Sequence, residues 1–580
     1  MNRHGKDYFE SEMRVLNEAA RDFARAFPEQ AGRLNLSDPS GRDPYVERLL
    51  EGMAFLSAQI RQKIDDDIPE ISATLLNQLW PDALRAYPSC SILECAPGVG
   101  AKPPMTIEAG AAVQSKAVGD EHTVCRFRTV ADLELTPLRL ADVRAEERRA
   151  GGTRVILDVQ RLPATSVRNW CPESLVLHVG GDAALALTLL HLLTTRLEAV
   201  EVVLEREGRT VRRRLGGQEC VSFDEALWNA PMTPLEGCAF SGFHLLQDYF
   251  HFREKFQFLR VRLDAAQWLE ATDREFSLEL HVRDLLPPDH HVNEDTLRLH
   301  CVPVVNLYEA SSEPMRRDER RGEYKVVADA SARESVQVFR VDSLTGIDAR
   351  TGERREYRPL STRGHAGSRA RYFQATPRMG LDRHLDTWIG LDAELEDAQE
   401  TLSCDILAHN GSYPRRFLFE GSLSESGPGM PGGLELRNRT RPTPLLAPPE
   451  RRDWHWALIN FMALSYESIR DAEGLRRLLG LFDWSGAPQN ARRIEGLSRL
   501  EVSPVDVVRR GAVLHGVELE ITATESLYRS EADLYLFGTV LERFLAEYAS
   551  LNTFTRLRIL RQPSNREMLW TPRFGNSLPI

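Results

Sequence analysis

Three short clusters of ionisable residues carry the side chains that could bind a metal ion or take part in a reaction. Asp65-Asp66-Asp67 offers three carboxylates, but consecutive residues of a helix point in different directions and do not converge on one ion. Asp289-His290-His291 offers a carboxylate and two imidazoles, but no further ligand residue lies at a matching spacing in the sequence. The run at 316–321 (RRDERR) is mixed in sign, which is typical of a solvated loop, although it could also meet an acidic partner. The clusters therefore predict no metal site.

The sequence motifs of catalysis and cofactor binding are absent. The chain has no GxxxxGK[ST] phosphate loop, no HExxH pair, no GxSxG nucleophile turn and no GxGxxG that opens a helix after a strand. Its eight cysteines form no CxxC pair and are expected to be reduced and partly buried. We therefore predict neither a cofactor nor a catalytic site. Because many active sites combine residues far apart in sequence, a soluble β-rich hydrolase with a dispersed active site is the alternative.

Composition places the chain among ordinary globular proteins. Of its 580 residues, 42% are hydrophobic and 27% are charged, and the formal net charge is −12, so no overall basic field attracts nucleic acid. The sequence shows no apolar signal region and no uncharged apolar run long enough to cross a bilayer. These features predict a cytoplasmic protein of several domains that inserts into no membrane.

Large apolar residues of the first segment repeat at helical spacing and lie on one stripe of a single helix. These residues are Phe9, Met13, Leu16, Phe23 and Phe27. Their burial would contribute roughly 8–15 kcal/mol, and a helix of this length is marginal alone in water. It therefore packs either on neighbouring helices of the chain or in a bundle shared with partner chains. The second interpretation predicts these five residues as partner-binding residues.

Two further helices are predicted before residue 88. The first begins at Pro44, with Asp43 as its cap, and carries apolar residues at helical spacing until an acidic run and Pro69 end it. The next runs from about Glu70 to Trp80, where a proline follows.

The middle of the chain shows the sequence pattern of β-strands. From Pro88 to about residue 440, short β-type runs alternate with glycine-containing turns, except for a helical pattern at 182–197. Helical patterns return near 454–483 and 533–548. The predicted fold class is multidomain α+β: a helical N-terminal segment, a β-rich middle of sandwich or barrel type, and an α+β C-terminal domain. The predicted domains span residues 1–88 (helical), 89–300 and 301–445 (both β-rich), and 446–580 (α+β).

Several segments, taken in order along the chain, resemble one protein family. They are Tyr8-Phe9, Ala31-Gly32-Arg33-Leu34, the run from Asp43 to Leu56, Leu79-Trp80-Pro81, the run from Phe243 to Phe250 with Lys255-Phe256, the run from Pro303 to Tyr308, Leu536-Phe537-Gly538, and Asn552-Thr553-Phe554-Thr555. These segments extend from residue 8 to residue 555, so the similarity covers nearly the whole chain. Together they resemble the TssF (ImpG/VasA) family of baseplate subunits of bacterial type VI secretion systems.

The resemblance implies a structural protein without enzymatic activity, related in architecture to a wedge protein of contractile phage baseplates. Members of the family join TssG in a wedge core that contains more than one copy of TssF. That core meets TssK, TssE and the VgrG hub, and the wedges around the hub form the platform on which tube and sheath assemble. The resemblance therefore implies these partners, and a cytoplasmic location docked at the inner membrane through the secretion apparatus.

The central family motif has two interpretations. Its apolar residues could be hot spots of a protein interface, or they could lie in the core of a domain, which we expect. These residues are Phe243, Leu245, Leu246, Tyr249 and Phe256.

Overall fold

The computed structural model describes most of the chain. The described residues are 13–17, 19–20, 44–162, 170–234, 242–270, 273–318, 321–360, 371–380, 384–391, 400–449, 453–462, 471–509, 512–547, 549 and 553–575. The chain folds into two compact units, one of Met1–Gln78 with Arg451–Trp456 and one of Leu79–Glu450 with Ala457–Ile580. The domain boundaries expected from the sequence stay predictions.

The longest described helix, α1, runs without a break from Pro44 to Leu79. The prediction that two helices meet at Pro69 was therefore wrong. A proline inside a helix removes one hydrogen bond and costs about 3 kcal/mol. However, Ile64, Ile68 and Ile71 keep helical spacing across it, so one continuous apolar pattern favours a single helix.

The remaining helices are short or of medium length. They are α2 (Ala183–Thr195), α3 (Glu225–Asn229), α4 (Gly242–His251), α5 (Tyr413–Phe417), α6 (Trp454–Met462), α7 (Ala472–Phe482), α8 (Pro488–Glu495) and α9 (Glu531–Ala546). Short 3₁₀ turns occur at Pro81–Leu84, Gln218–Cys220, Arg253–Phe256, Ala265–Gln267 and Glu525–Leu527. Helix α2 confirms the helical pattern predicted at 182–197, and the carboxylate of Asp182 caps it by accepting from two backbone N–H groups.

Strands make up most of the rest. Up to residue 326 they are β1 (Cys90–Pro97), β2 (Met105–Ile107), β3 (Ala112–Val118), β4 (Thr123–Thr129), β5 (Leu133–Leu135), β6 (Leu138–Glu147), β7 (Thr153–Arg161), β8 (Ser174–Val179), β9 (Leu197–Arg206), β10 (Arg209–Gly216), β11 (Val221–Phe223), β12 (Phe258–Arg262), β13 (Glu275–Val282), β14 (Leu297–Arg298), β15 (Cys301–Val305), β16 (Tyr308–Ser311), β17 (Met315–Arg316) and β18 (Glu323–Val326).

The later strands complete these sheets and build a separate one near the end of the chain. They are β19 (Gln337–Asp348), β20 (Arg354–Pro359), β21 (Arg371–Met379), β22 (Leu385–Leu391), β23 (Glu400–His409), β24 (Leu423–Ser426), β25 (Leu434–Asn438), β26 (Leu497–Arg509), β27 (Ala512–Thr524), β28 (Phe554–Gln562), β29 (Glu567–Leu569) and β30 (Arg573–Phe574). A strand-rich α+β fold confirms the predicted fold class.

A six-stranded sheet joins strands that are far apart in the sequence. Its order is β24-β3-β4-β15-β1-β25. The central strand β1 pairs antiparallel with β15, where Cys90 lies opposite Val305, and with β25, where Leu93 lies opposite Asn438. This sheet therefore unites strands from the two regions predicted as separate β-rich domains.

The other sheets are mainly antiparallel. They have the orders β10-β9-β13-β7-β6, β11-β12-β8-β14, β2-β5, and β16-β23-β19-β20-β21-β22-β18 with β17 beside β23. The last sheet has the order β26-β27-β28-β29 with β30 beside β28. In it β27 and β28 run parallel, and α9 forms the crossover between them, as parallel neighbours require.

The segment of the central motif lies at the centre of an aromatic core. Every residue of α4 is buried. The ring of Phe243 stacks on Trp80 at 5.8 Å and on Phe482 at 5.0 Å between centroids, and Tyr249 stacks on Phe537 at 5.4 Å. Offset aromatic pairs of this kind stabilise a core beyond their buried area.

A buried ion pair adjoins this core. Lys255 Nζ lies 2.6 Å from Asp248 Oδ2, and both side chains are almost fully inaccessible to solvent. The hydroxyl of Tyr87 donates to Asp248 Oδ1 at 2.9 Å. Burial lowers the pKa of Lys255, whereas the Asp248 carboxylate acts in the opposite direction.

The cysteines have the environment expected from their spacing. Among the described residues, all the cysteines are free, and all except the half-buried Cys171 are buried. Burial raises the pKa of Cys95 and of Cys125 to about 12. Thiols with so high a pKa are poor nucleophiles.

Candidate partner-binding face

One face of α1 exposes large apolar side chains. Tyr45 is 84% exposed, Leu49 66%, Met53 51% and Leu56 60%. Steps of four, four and three residues place these side chains on one stripe of the helix, which we call the α1 stripe. Contiguous exposed apolar surface is rare on soluble monomers and marks interaction sites.

Several buried positions of α1 carry small residues. Ala54 and Ala58 are 0% and 5% exposed, and Ser72 and Leu76 are fully buried. The Ser72 hydroxyl lies 3.2 Å from Nδ1 of His455, which belongs to the same compact unit. Small side chains on the buried face let a helix approach its neighbours closely, whereas the large ones of the α1 stripe remain in contact with solvent.

The five residues predicted to bind a partner are only partly described. Met13 and Leu16 lie in a helical stretch, residues 13–17, and both are half-buried. Phe9, Phe23 and Phe27 lie outside the described residues. Their role in partner binding stays a prediction.

The residues of the central motif belong to the core, as predicted. Their exposed fractions are 1% for Phe243, 3% for Leu245 and 0% for Leu246, Tyr249 and Phe256. Side chains buried within the chain are not available to a partner without unfolding, so the interface interpretation of this motif was wrong.

Within the described part of the chain, three side chains of the kinds that bind metal ions lie close together, those of Glu201, Glu279 and His281. His281 Nε2 lies 3.4 Å from Glu279 Oε2 and 3.6 Å from Glu201 Oε2. Two guanidinium groups compete for the same carboxylate, because Glu279 Oε2 is 3.3 Å from Arg154 Nη1 and 3.2 Å from Arg212 Nη1. These two cations already balance the two carboxylates, so the group is an ion-pair network across the sheet.

Two other ionisable clusters of the sequence, at 289–291 and 65–67, lie in a loop and in a helix. Asp289, His290 and His291 follow β13 in a loop and form no such group with any described residue. The acidic run at 65–67 lies inside α1. Within the described residues, no helix combines the length and the apolar character needed to cross a membrane.

The helical spacing of Leu49, Met53 and Leu56 can be read from the sequence, whereas their exposure to solvent cannot. Partner binding was therefore predicted for the first segment and not for α1. The missed signal is that α1 carries two apolar faces, one of large residues and one that contains Ala54 and Ala58. A helix that is apolar on two sides needs two neighbours.

Comparison with known proteins identifies the family. A family model described as "Type VI secretion system, TssF" matches residues 1–577. The type VI secretion system component TssF1 of Pseudomonas aeruginosa strain PAO1 is 28% identical to this chain, and the match covers 99% of each protein.

Two solved structures contain similar chains. One, in a TssK-TssF-TssG baseplate subcomplex studied by cryo-electron microscopy, has 32% sequence identity and a TM-score of 0.78, with 92% of this chain and 100% of that chain covered. The other, in the baseplate complex from the type VI secretion system, has 28% identity and a TM-score of 0.60, with 99% and 100% covered.

These relatives are structural baseplate subunits and not enzymes, which removes the hydrolase alternative. The family resemblance seen in the sequence is confirmed. The chain therefore belongs to the TssF family and is a component of a type VI secretion baseplate.

Proposed function

We propose that this chain is a structural wedge component that binds TssG through the α1 stripe, together with Phe9, Met13, Leu16, Phe23 and Phe27. The observation that carries the proposal is the exposure of Tyr45, Leu49, Met53 and Leu56 along one side of a 36-residue helix. A helix with an exposed apolar stripe fits a bundle in which partner helices cover that stripe.

The energetics favour a stable complex. Burial of a large apolar side chain stabilises by roughly 1.5–3 kcal/mol, so covering the four residues of the α1 stripe would contribute roughly 6–12 kcal/mol before the cost of association. An assembly protein gains this energy only with its partner. The solved subcomplex that contains a similar chain also contains TssK and TssG, which supports both as partners of this chain.

The resemblance to the TssF family suggests further partners for this chain. We propose that the wedge meets TssE and the VgrG hub, and that it contains further copies of this chain. We also propose that the baseplate assembles in the cytoplasm and is docked at the inner membrane through the secretion apparatus. In this role the chain supplies surfaces for the platform of tube and sheath, and it performs no chemical step.

Substitution of two leucines of the α1 stripe by aspartate is expected to weaken binding to TssG. In the variant Leu49→Asp/Leu56→Asp, each change removes apolar burial and places a charge in the interface, so the affinity should fall by roughly 100-fold or more. We would co-express each version with TssG and measure the mass of the purified species by light scattering. The unchanged chain should form a complex with more than one copy per TssG.

The matched control is Glu47→Lys, since Glu47 is exposed on another side of the same helix. It should assemble like the unchanged chain. Circular dichroism should show an unchanged fold for all variants, because the substituted residues are solvent-exposed. If the double aspartate variant bound TssG as tightly as the control, the α1 stripe would not be the binding face.

A further inference from the structure

The ring of Phe419 lies in solvent on a turn between α5 and β24. It is 58% exposed, whereas hydrogen bonds hold the backbone of the same residue. The N–H of Phe419 donates to Ser422 Oγ at 2.9 Å, and its carbonyl oxygen accepts from Asn438 Nδ2 at 2.9 Å. Because Asn438 is fully buried in the six-stranded sheet, the turn is anchored to that sheet. The exposed ring therefore loses little conformational freedom when a ligand covers it.

Two arginines beside this ring are held by backbone carbonyl groups. The guanidinium of Arg441 lies over the Phe419 ring, 4.9 Å from its centroid, and its Nη2 donates to the carbonyl oxygen of Arg415 at 2.9 Å. Nη1 of Arg415 donates in turn to the carbonyl oxygen of Pro442 at 3.2 Å. Since a guanidinium carries five N–H donors, each of these two groups is fixed in position and keeps donors for a further acceptor.

A third guanidinium, that of Arg416, extends the cationic surface. It lies over the ring of Phe417, 4.9 Å from the centroid. Arg415, Arg416 and Arg441 are all exposed, and within the described residues none of the three forms an ion pair. We call these three arginines, together with Phe419, the arginine patch.

Three carboxylates in this part of the chain have other neighbours. Glu420 Oε1 lies 3.8 Å from Arg437 Nη2. Burial raises the pKa of Tyr413, and Glu121 and Glu334 raise it further, so these two carboxylates lie near the Tyr413 hydroxyl. The arginine patch therefore keeps most of its positive charge, on a chain whose formal net charge is −12.

An exposed aromatic ring among arginines is typical of a protein interface. Arginine and aromatic residues are enriched in such interfaces and often supply their hot spots, and a guanidinium pairs with a carboxylate through two parallel hydrogen bonds. Nucleic acid binds to wider basic surfaces, and the net charge of this chain repels it. We propose that the arginine patch binds an acidic segment of a partner protein, whose carboxylates pair with Arg415 and Arg441 and whose apolar side chain covers Phe419. The proposal is independent of the α1 stripe.

The test is binding of a fluorescently labelled acidic peptide to the full chain, measured by fluorescence anisotropy. The probe is acetyl-Asp-Glu-Leu-Glu-Asp amide, and the control is acetyl-Asn-Gln-Leu-Gln-Asn amide, which has the same shape without charge. We expect saturable binding of the acidic peptide and none of the control. Binding should weaken roughly threefold or more as the salt concentration is raised to about 0.5 M, because salt screens exposed charges. A short DNA duplex should not displace the peptide.

Variants of the arginine patch localise the binding. Arg415→Gln/Arg441→Gln removes two guanidinium groups and should weaken binding about tenfold or more, since hydrogen bonds between charged partners are the strong ones. Phe419→Ser removes the ring that the ligand covers and should weaken binding roughly three- to tenfold. The matched control is Arg350→Gln/Arg354→Gln, which removes the same charge from two other exposed arginines of the same compact unit. It should bind like the unchanged chain.

The proposal fails if the unchanged chain does not bind the acidic peptide, if the uncharged peptide binds equally well, or if Arg415→Gln/Arg441→Gln binds like its control. Displacement of the peptide by DNA would also overturn it. Thermal unfolding checks the fold of each variant. Should the double variant of the patch not fold, Phe419→Ser still decides, because its side chain is exposed and takes no part in the hydrogen bonds of its backbone.

Discussion

Lowering the pH from near neutrality to 5 is expected to reduce the free energy of unfolding by about 8 kcal/mol. Four buried histidines cause this loss. Burial lowers the pKa of His178 and His251 to about 3, and that of His300 and His409 to about 4, whereas an unfolded histidine titrates near 6.5. Below about pH 6.5 the unfolded chain therefore binds more protons than the folded one. Each histidine costs about 2 kcal/mol by pH 5.

Hydrogen bonds at the ring nitrogens strengthen this expectation. His251 Nε2 accepts from the backbone N–H of Trp484 at 3.2 Å, and His300 Nε2 accepts from that of Thr136 at 3.1 Å. A second proton on either ring must bind to the accepting nitrogen, which breaks the bond. The stability contributed by these histidines is complete above pH 6.5 and is lost as the pH falls towards the folded-state pKa values.

Thermal and urea unfolding at several values between pH 7.5 and 5 would measure the effect. The variant His178→Leu should flatten the pH dependence by about 2 kcal/mol at pH 5, because one titrating group is removed. His515→Gln is the control, since His515 is 75% exposed at its side chain. Equal stability at pH 7.5 and pH 5 would contradict the prediction.

Replacement of Lys255 by methionine is expected to destabilise the chain by about 3–5 kcal/mol. The change removes the only charge that neutralises Asp248 within hydrogen-bonding distance among the described residues. Asp248 is 1% exposed at its side chain, so its carboxylate would remain buried and uncompensated. Chemical denaturation of the purified variant measures the loss.

Lys325→Met is the matched control, because it breaks a lysine–aspartate pair at the surface. Lys325 Nζ lies 2.5 Å from Asp386, and the two side chains are 39% and 20% exposed. Surface pairs of this kind contribute about 0–1 kcal/mol. The double variant Asp248→Leu/Lys255→Met should recover much of the stability, since it leaves no buried charge. If Lys255→Met were as mild as the control, the buried pair would carry little of the core stability.

Local signals in the sequence predicted local structure well. Helix α2 was predicted from the apolar pattern at 182–197, and the observed helix, Ala183–Thr195, lies within that span. The prediction of a helix end at Pro69 was wrong because the apolar spacing that continues past the proline outweighs the effect of one helix-breaking residue. Pairings such as Cys90 with Val305 and Leu93 with Asn438 were beyond prediction, since no local pattern indicates which distant strand becomes a neighbour.

The exposure of the α1 stripe could not be predicted from the sequence either. The spacing of Leu49, Met53 and Leu56 predicts a helix stripe, but periodicity alone does not say whether a stripe is covered by the chain itself or by a partner. Hydrophobicity would bury leucine before alanine. In the first half of α1 the structure does the opposite, since Ala54 and Ala58 are buried while Leu49 and Leu56 are exposed. That inversion supports the proposal that the α1 stripe is covered by another chain.

The strand order of the six-stranded sheet determines when that sheet can be completed during synthesis on the ribosome. Its central strand, β1, is complete at Pro97, but its neighbour β25 ends only at Asn438 of the 580 residues. Until then one edge of β1 has no partner, and an exposed strand edge invites aggregation. The N-terminal compact unit is completed even later in synthesis, since it includes Arg451–Trp456. A nascent chain interrupted before residue 456 thus contains neither unit in full. Synthesis of this subunit therefore leaves the sheet unfinished until about three quarters of the chain has been made.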